Sequence, residues 1–359
     1  MNKPLDHGHL EGMKMKPLFA LILTLATLGL AACGGGGGGS SSGGSGSASP
    51  TPVAPASTTP DTSEPAPTYT SGDPRLVIYS ALNDYRSKMA VGDVGGVGLV
   101  GQNGDLDTAA QAHAVYLTSS ESVPFEQHNE TAGTDYYADT PYARAAKAGF
   151  SPASAWIGEA IGDSGSCVSE LLDTVYHLQA LTSNIEQIGI GYTPSWVCVI
   201  DAATITGTAG STLPANGNGE PIGGGQQLPS GAVAMSPYNG ETGVLPAMNA
   251  AENPRPVPTV SNPGHPVMLR VRADFTTDTL LASSFTLTTN GSPVSGTVLV
   301  ASNASASTAS GLSVDPLVAP GVAFFVPNQP LQSGTTYTAS FSGSRNGVAL
   351  SPTWSFTTQ

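Results

Sequence analysis

The period of the apolar pattern changes once along this chain, and that change constrains the fold more than any single motif. Between Arg75 and Met89, the residues Leu76, Tyr79, Leu82 and Tyr85 recur at the spacing that puts side chains on one helix face. Asp73-Pro74 supplies a start signal. A second helix is expected from Asp105 to about Thr118, with Leu106, Ala109, Ala110, His113, Ala114 and Leu117 on one stripe. A third follows Thr140-Pro141, where threonine caps and proline fits the first turn, and it stops at Gly149. A fourth is expected from about Val168 to Leu181, and strands follow at Ile185 to Tyr192 and Trp196 to Ile200. From Pro237 onward helical spacing is gone. Short β-rich runs take over at residues 267–271, 285–289, 296–300, 322–326, 336–341 and 354–358, separated by turn signals such as Asn290-Gly291 and Asn346-Gly347. Helices followed by a hairpin imply an α+β unit, and the evenly spaced strands imply an all-β sandwich after it.

Two stretches cannot supply a core. Residues 33–73 are almost entirely Gly, Ser, Thr, Pro and Ala, and residues 203–233 are glycine-rich. They are expected to be a flexible tether and a linker, bounding a first domain at 74–202 and a second at 234–359. Ahead of the tether, Lys14 and Lys16 precede an apolar run from Leu18 to Leu30. That run is too short to span a bilayer and has the layout of a secretory signal over residues 1–32. Residues 1–12 lie upstream of a better start at Met13 or Met15, so His7 and His9 are expected to be absent from the mature protein. Leu30-Ala31-Ala32-Cys33 resembles a bacterial lipobox. The resemblance implies a chain attached to a membrane through lipidated Cys33, and Gly34 after it implies the outer membrane in a diderm cell envelope.

An exported chain meets an oxidising compartment, where Cys167 and Cys198 are expected to pair. Closing that loop would restrict the unfolded chain by about 3 to 4 kcal/mol. The formal charge of −14, with 12 Lys and Arg in 359 residues, argues against a surface that tracks phosphates, so nucleic acid is not expected as a partner.

Polar signatures fall in order within the first domain: His128-Asn129-Glu130, Gly158-Glu159-Ala160-Ile161 and Tyr176-His177. Imidazoles titrate near neutral pH and bind divalent metals, and a carboxylate beside one orients it or shares its proton. Together with Leu82-Asn83-Asp84-Tyr85-Arg86, Ala112-His113-Ala114, Pro141 with Arg144, Gly149-Phe150, Ile188-Gly189-Ile190-Gly191-Tyr192 and Trp196, they follow the order of the bacterial branch of the CAP superfamily. That superfamily groups cysteine-rich secretory proteins, antigen 5 and pathogenesis-related proteins, and residues 75–202 resemble it. The resemblance implies an α-β-α sandwich with a cleft lined by two histidines and two acidic residues. His128 and His177 fall on the family's histidines and Glu159 on the glutamate of its Gly-Glu-Asn motif, with Ala160 replacing the usual Asn. The stretch before His177 departs from the family's Trp and Ser-Pro-Gly turn, so a different local backbone is expected there. For the second acid, Glu170 is chosen because i and i+7 share a helix face, and Glu130, two residues from His128, competes with it. His113, amid an apolar stripe, is expected to be a packed core residue. The Leu331 to Thr358 tail and the Ser236-Pro237 opening resemble bacterial Ig-like domains, and His265 between two prolines is expected to be a solvated turn residue.

Three functions fit these residues. The cleft can bind a metal, Zn²⁺ or another divalent cation on His128 and His177, or a small ligand of the envelope or extracellular space. It can act as a peptidase-like hydrolase with His128, Glu159, Glu170 and His177 as catalytic candidates, although no nucleophile motif is present. Or the tethered chain can serve adhesion at the cell envelope.

Overall fold

The structure, a computed structural model, describes residues 54–90, 96–119, 127–151, 155–162, 166–195, 197–208, 220–249 and 252–359. The leader, Cys33, the first part of the tether and Trp196 lie outside them. Among the described residues no helix is long and apolar enough to cross a membrane. The fold is α+β and mostly β, with three sheets and few helices.

Three of the four expected helices form, the first and third with the anticipated caps. Helix α1 spans Pro74–Lys88 with Asp73 accepting from Arg75 N, and α2 spans Gly104–Ser119. Helix α3, Pro141–Ala148, is capped by Thr140 accepting from Ala143 N and ends at Gly149 with φ of 114°, a conformation that favours glycine. The expected fourth helix is instead two, α4 at Cys167–Leu172 and α5 at Tyr176–Leu181. Its break at residues 173–175 is held from outside. The Glu252 carboxylate takes the N–H groups of Val175 (2.8 Å) and Tyr176 (2.6 Å), and Asp173 O accepts from Asn249 N at 3.0 Å.

One four-stranded sheet runs in the order β1 (Gly101–Gln102), β3 (Gln187–Thr193), β4 (Val197–Thr204), β2 (Trp156–Gly162). Strand β2, which carries Glu159, has no counterpart among the expected strands; its Gly and Glu residues hide the alternation. All of β4 is buried, because helices cover both faces. Ile157, Ile161, Val199 and Ala203 face α2 and α3, while Ile188, Ile190 and Ile200 face α1, α4 and α5. Gly189 and Gly191 let α2 lie directly on β3: a Cβ on Gly189 would sit 2.0 Å from the Leu106 carbonyl carbon, and one on Gly191 2.2 Å from the Ala110 oxygen. Arg86 of α1 is fully buried and donates to the carbonyls of Gly98 (2.7 Å), Leu181 (2.8 Å) and Ser183 (3.1 Å), which fixes the end of α5. Burial, with Arg270 nearby, pushes its pKa down to about 9. A disulfide joins Cys167, at the start of α4, to Cys198 of β4.

The C-terminal half holds two facing sheets. One has the order β11 (Leu312–Val314), β10 (Gly296–Val300), β12 (Val322–Pro327), β7 (Val267–Arg270), β5 (Ala234–Ser236). The other has the order β6 (Glu241–Val244), β15 (Thr353–Thr358), β13 (Thr336–Arg345), β8 (Leu280–Thr289), β9 (Ser292–Pro293), with β14 (Val348–Leu350) paired to β13. Asn290-Gly291 and Asn346-Gly347 both have positive φ and turn the hairpins as their sequence demands. Phe285, Phe325, Phe341 and Trp354 fill the space between the sheets.

The other face of the first sheet, through Met268, Leu299, Phe324 and Val326, belongs to the same core as α1, α4 and α5. Residues 54–72, expected to be part of a tether, lie against this body. Thr58 N donates to Gly225 O, Asp61 N to Gln226 Oε1, and the buried Tyr69 bonds Asp107. Hydrogen bonding holds this segment where its side chains could not have formed a core of their own.

Candidate functional site: an imidazole and carboxylate cleft

His128, Glu159 and His177 line one cleft of about 510 Å³, with Pro141, Tyr142, Trp156, Tyr176, Glu220, Glu252, Asn253 and Pro254 among its other walls. They reach it from the loop between α2 and α3, from β2 and from α5.

The His128 side is built from the core outward. Glu159 points from β2 toward α2 and its side chain is 1% exposed. Its Oε1 accepts from His128 Nδ1 at 2.9 Å, and its Oε2 accepts from Arg144 Nη2 at 2.6 Å. Burial alone would raise the Glu159 pKa. The His128 hydrogen bond and the charges of His113, Arg144 and His128 outweigh it and hold the carboxyl below its ordinary value. Arg144, fully buried on α3, also donates to the His128 carbonyl at 2.9 Å, so it fixes both partners of that contact. His113 is a packed core residue, as its apolar stripe implied. It bonds Glu130 Oε1 (3.0 Å) and the Gln127 carbonyl (3.0 Å), and it stands 3.6 Å from Glu159.

Behind Glu159 lies a residue the sequence did not single out. Asp201 of β4 pairs with Glu159 across the strands, is fully buried, and among the described residues meets no donor with either carboxyl oxygen. Directly opposed residues share a sheet face, so the two carboxyl groups are neighbours. Burial first, and the Glu159 charge second, push the Asp201 pKa well above its ordinary value. The proton of the pair therefore resides on Asp201, because Glu159 Oε1 takes a hydrogen bond from His128 and its Oε2 pairs with the Arg144 guanidinium.

The His177 side uses other elements. Nδ1 of His177 lies 3.1 Å from Thr174 Oγ1 and 3.6 Å from Glu252 Oε1. Glu252 is thus the carboxylate at the second histidine, and neither candidate for the cleft's second acid, Glu170 or Glu130, lines the cleft. Glu170 accepts from Asn249 Nδ2 at 2.7 Å and does not line the cleft, because the helix break invalidates the i and i+7 spacing. Glu130 is buried beneath it, with Oε2 taking the N–H groups of Tyr137 (2.6 Å) and Ala138 (3.1 Å). Glu252 was invisible in the sequence because 75 residues separate it from His177 and it follows the glycine-rich join. His265, expected to be a solvated turn residue, is instead buried against Asp173, where the chain entering β7 packs on the end of α4.

The donors do not fit a multidentate metal centre. Among the described residues no three His, Cys, Asp or Glu side chains gather as a ligand set. A structural or catalytic zinc site needs at least three protein ligands. Comparison with protein-family models and with curated proteins found no match for this chain.

Proposed function

We propose that the cleft binds a small polar ligand and that the chain is an exported, lipid-anchored envelope protein, a CAP-like unit followed by an Ig-like β-sandwich. Helices on both faces of a four-stranded sheet support the first part of that architecture, and two facing sheets support the second. The disulfide agrees with an exported chain, Leu30-Ala31-Ala32-Cys33 supports a lipid anchor, and Gly34 after it supports the outer membrane. The observation that carries the binding function is the convergence of His128, Glu159, His177 and Glu252 on one cleft from four separate segments. Each imidazole there is backed by a carboxylate. Saturation-transfer NMR with small molecules extracted from cell envelopes tests it. Signals should be lost in the His128→Ala, His177→Ala double variant, and equal saturation of both proteins would sink the reading.

A hydrolase is the second reading, favoured by the His128 and Glu159 contact. A carboxylate on Nδ1 leaves Nε2 as a base facing the cleft, the arrangement used in general-base catalysis. Glu159→Gln should then lower any peptidase or esterase turnover by about 10²- to 10⁴-fold.

A further inference from the structure

The hydrogen bonds around the two cleft imidazoles fix what they can offer a ligand. Thr174 spends its hydroxyl hydrogen on the Leu171 carbonyl at 2.8 Å, so toward His177 its oxygen can only accept. The contact at 3.1 Å therefore requires a proton on His177 Nδ1, and the negative Glu252 carboxylate 3.6 Å away favours the same tautomer. His128 repeats the arrangement, since its Nδ1 faces the Glu159 carboxylate at 2.9 Å. In their neutral forms both rings then carry the lone pair on Nε2, the atom left for the cleft.

The remaining walls have the same polarity. No Lys or Arg is among the described residues lining the cleft, while Glu159, Glu220 and Glu252 are. Arg144, a cation behind it, is fully buried and engaged with Glu159 and the His128 carbonyl, and Arg270, which does not line the cleft, stands near Glu220. Tyr142 Oη takes the N–H of Ile157 at 3.1 Å, and Tyr142, Trp156 and Tyr176 contribute aromatic surface. An anion entering this space would meet acceptors and negative charge. A molecule carrying several N–H or O–H groups would find partners for them.

We propose that the cleft recognises its ligand through the ligand's own hydrogen-bond donors, taken up by Nε2 of His128 and His177, so that it selects amines or hydroxyl-rich molecules over anions. The proposal rests on the reading of this cleft as a ligand site. Thr174 and Glu252 are its positioning residues. Glu252 comes from the C-terminal half, so the recognition surface is complete only when both halves of the chain are present.

Ring ¹⁵N correlation spectra of the full chain above neutral pH test the first step. His128 and His177 should both show the Nδ1–H pattern, and Thr174→Val, which removes one acceptor at nearly constant volume, should move His177 alone toward Nε2–H. An Nε2–H pattern for either histidine in the unaltered chain overturns the proposal without any ligand. Binding is then read from the imidazole Hε1 shifts with three probes at millimolar concentration: spermidine, an N-acetylglucosamine tetrasaccharide and inorganic sulfate. At least one donor probe should bind, about tenfold or more weaker in both His128→Ala and His177→Ala, and sulfate should not. A response to spermidine alone assigns an amine, and one to the saccharide alone assigns a hydroxyl-rich ligand. Sulfate binding that depends on the histidines overturns donor recognition and leaves a ligand cleft standing. No response to any of the three overturns both.

Discussion

The buried acids beneath the cleft set its electrostatics, and Asp201 is the one whose removal has a distinctive pH signature. In the unfolded chain its carboxyl loses its proton near 3.8, whereas in the fold it retains it to a much higher pH. The folded state therefore binds more protons than the unfolded one as pH rises above about 4, and stability falls across that window. Asp201→Asn, which keeps a donor facing Glu159, removes this loss. The variant should match the parent in acid and be increasingly more stable as pH rises, by at most about 1.4 kcal/mol per pH unit, in urea titrations at several pH values. A stability difference independent of pH would show that Asp201 is ionised in the fold. Glu159 behaves oppositely: its pKa is lowered, so the stability it contributes is present above the ordinary carboxylate range and is lost as pH falls through its folded value.

At the scale of elements, the segment between α4 and α5 decides where His177 points. Its geometry depends on Glu252, which supplies the acceptors for the first N–H groups of α5 that a longer helix would have satisfied internally. Glu252→Ala should cost about 1 to 3 kcal/mol in denaturant unfolding, because two buried N–H groups lose their acceptor. An unchanged midpoint would mean that α5 starts without this contact. The same segment marks the limit of what the sequence discloses. Helices α1 to α3 were legible because spacing and local caps specify them, and the hairpins at Asn290-Gly291 and Asn346-Gly347 because that dipeptide suits their left-handed turn. His128, Glu159 and His177 were legible from the order of their motifs. The break before α5, the acid at His177 and the burial of His265 were not, since each is fixed by residues distant in the chain. Strand β2 is not legible in the sequence because its pattern is broken by Gly158 and Glu159, the latter buried on a face where alternation calls for an apolar residue.

Across the whole molecule, the change of sequence period does not coincide with a break in the core. Residues 52–359 form one compact unit, and the apolar cluster containing Leu82, Leu178 and Ile188 also contains Met268, Leu299 and Phe324. Polar ties cross the same boundary. Tyr176 Oη donates to Asp315 Oδ2 at 2.8 Å, Ala319 N to Gln179 Oε1 at 2.8 Å, and Met235 N to Met89 O at 2.7 Å. Separating the halves would expose this apolar surface to water at roughly 25 cal/mol per Å² and leave buried polar groups without partners. The two periodicities should therefore unfold together, unlike domains joined only by a linker, which melt independently. All described α-helices lie in the N-terminal half, so helical circular dichroism reports on that half. The chain has 3 Trp residues, so in the Trp156→Phe, Trp196→Phe double variant fluorescence reports only on Trp354, which is buried between the C-terminal sheets. The urea midpoints of the two signals should coincide in that variant. Two separated midpoints would mean that the halves are independently stable, and Glu252 could then leave His177 while both remain folded.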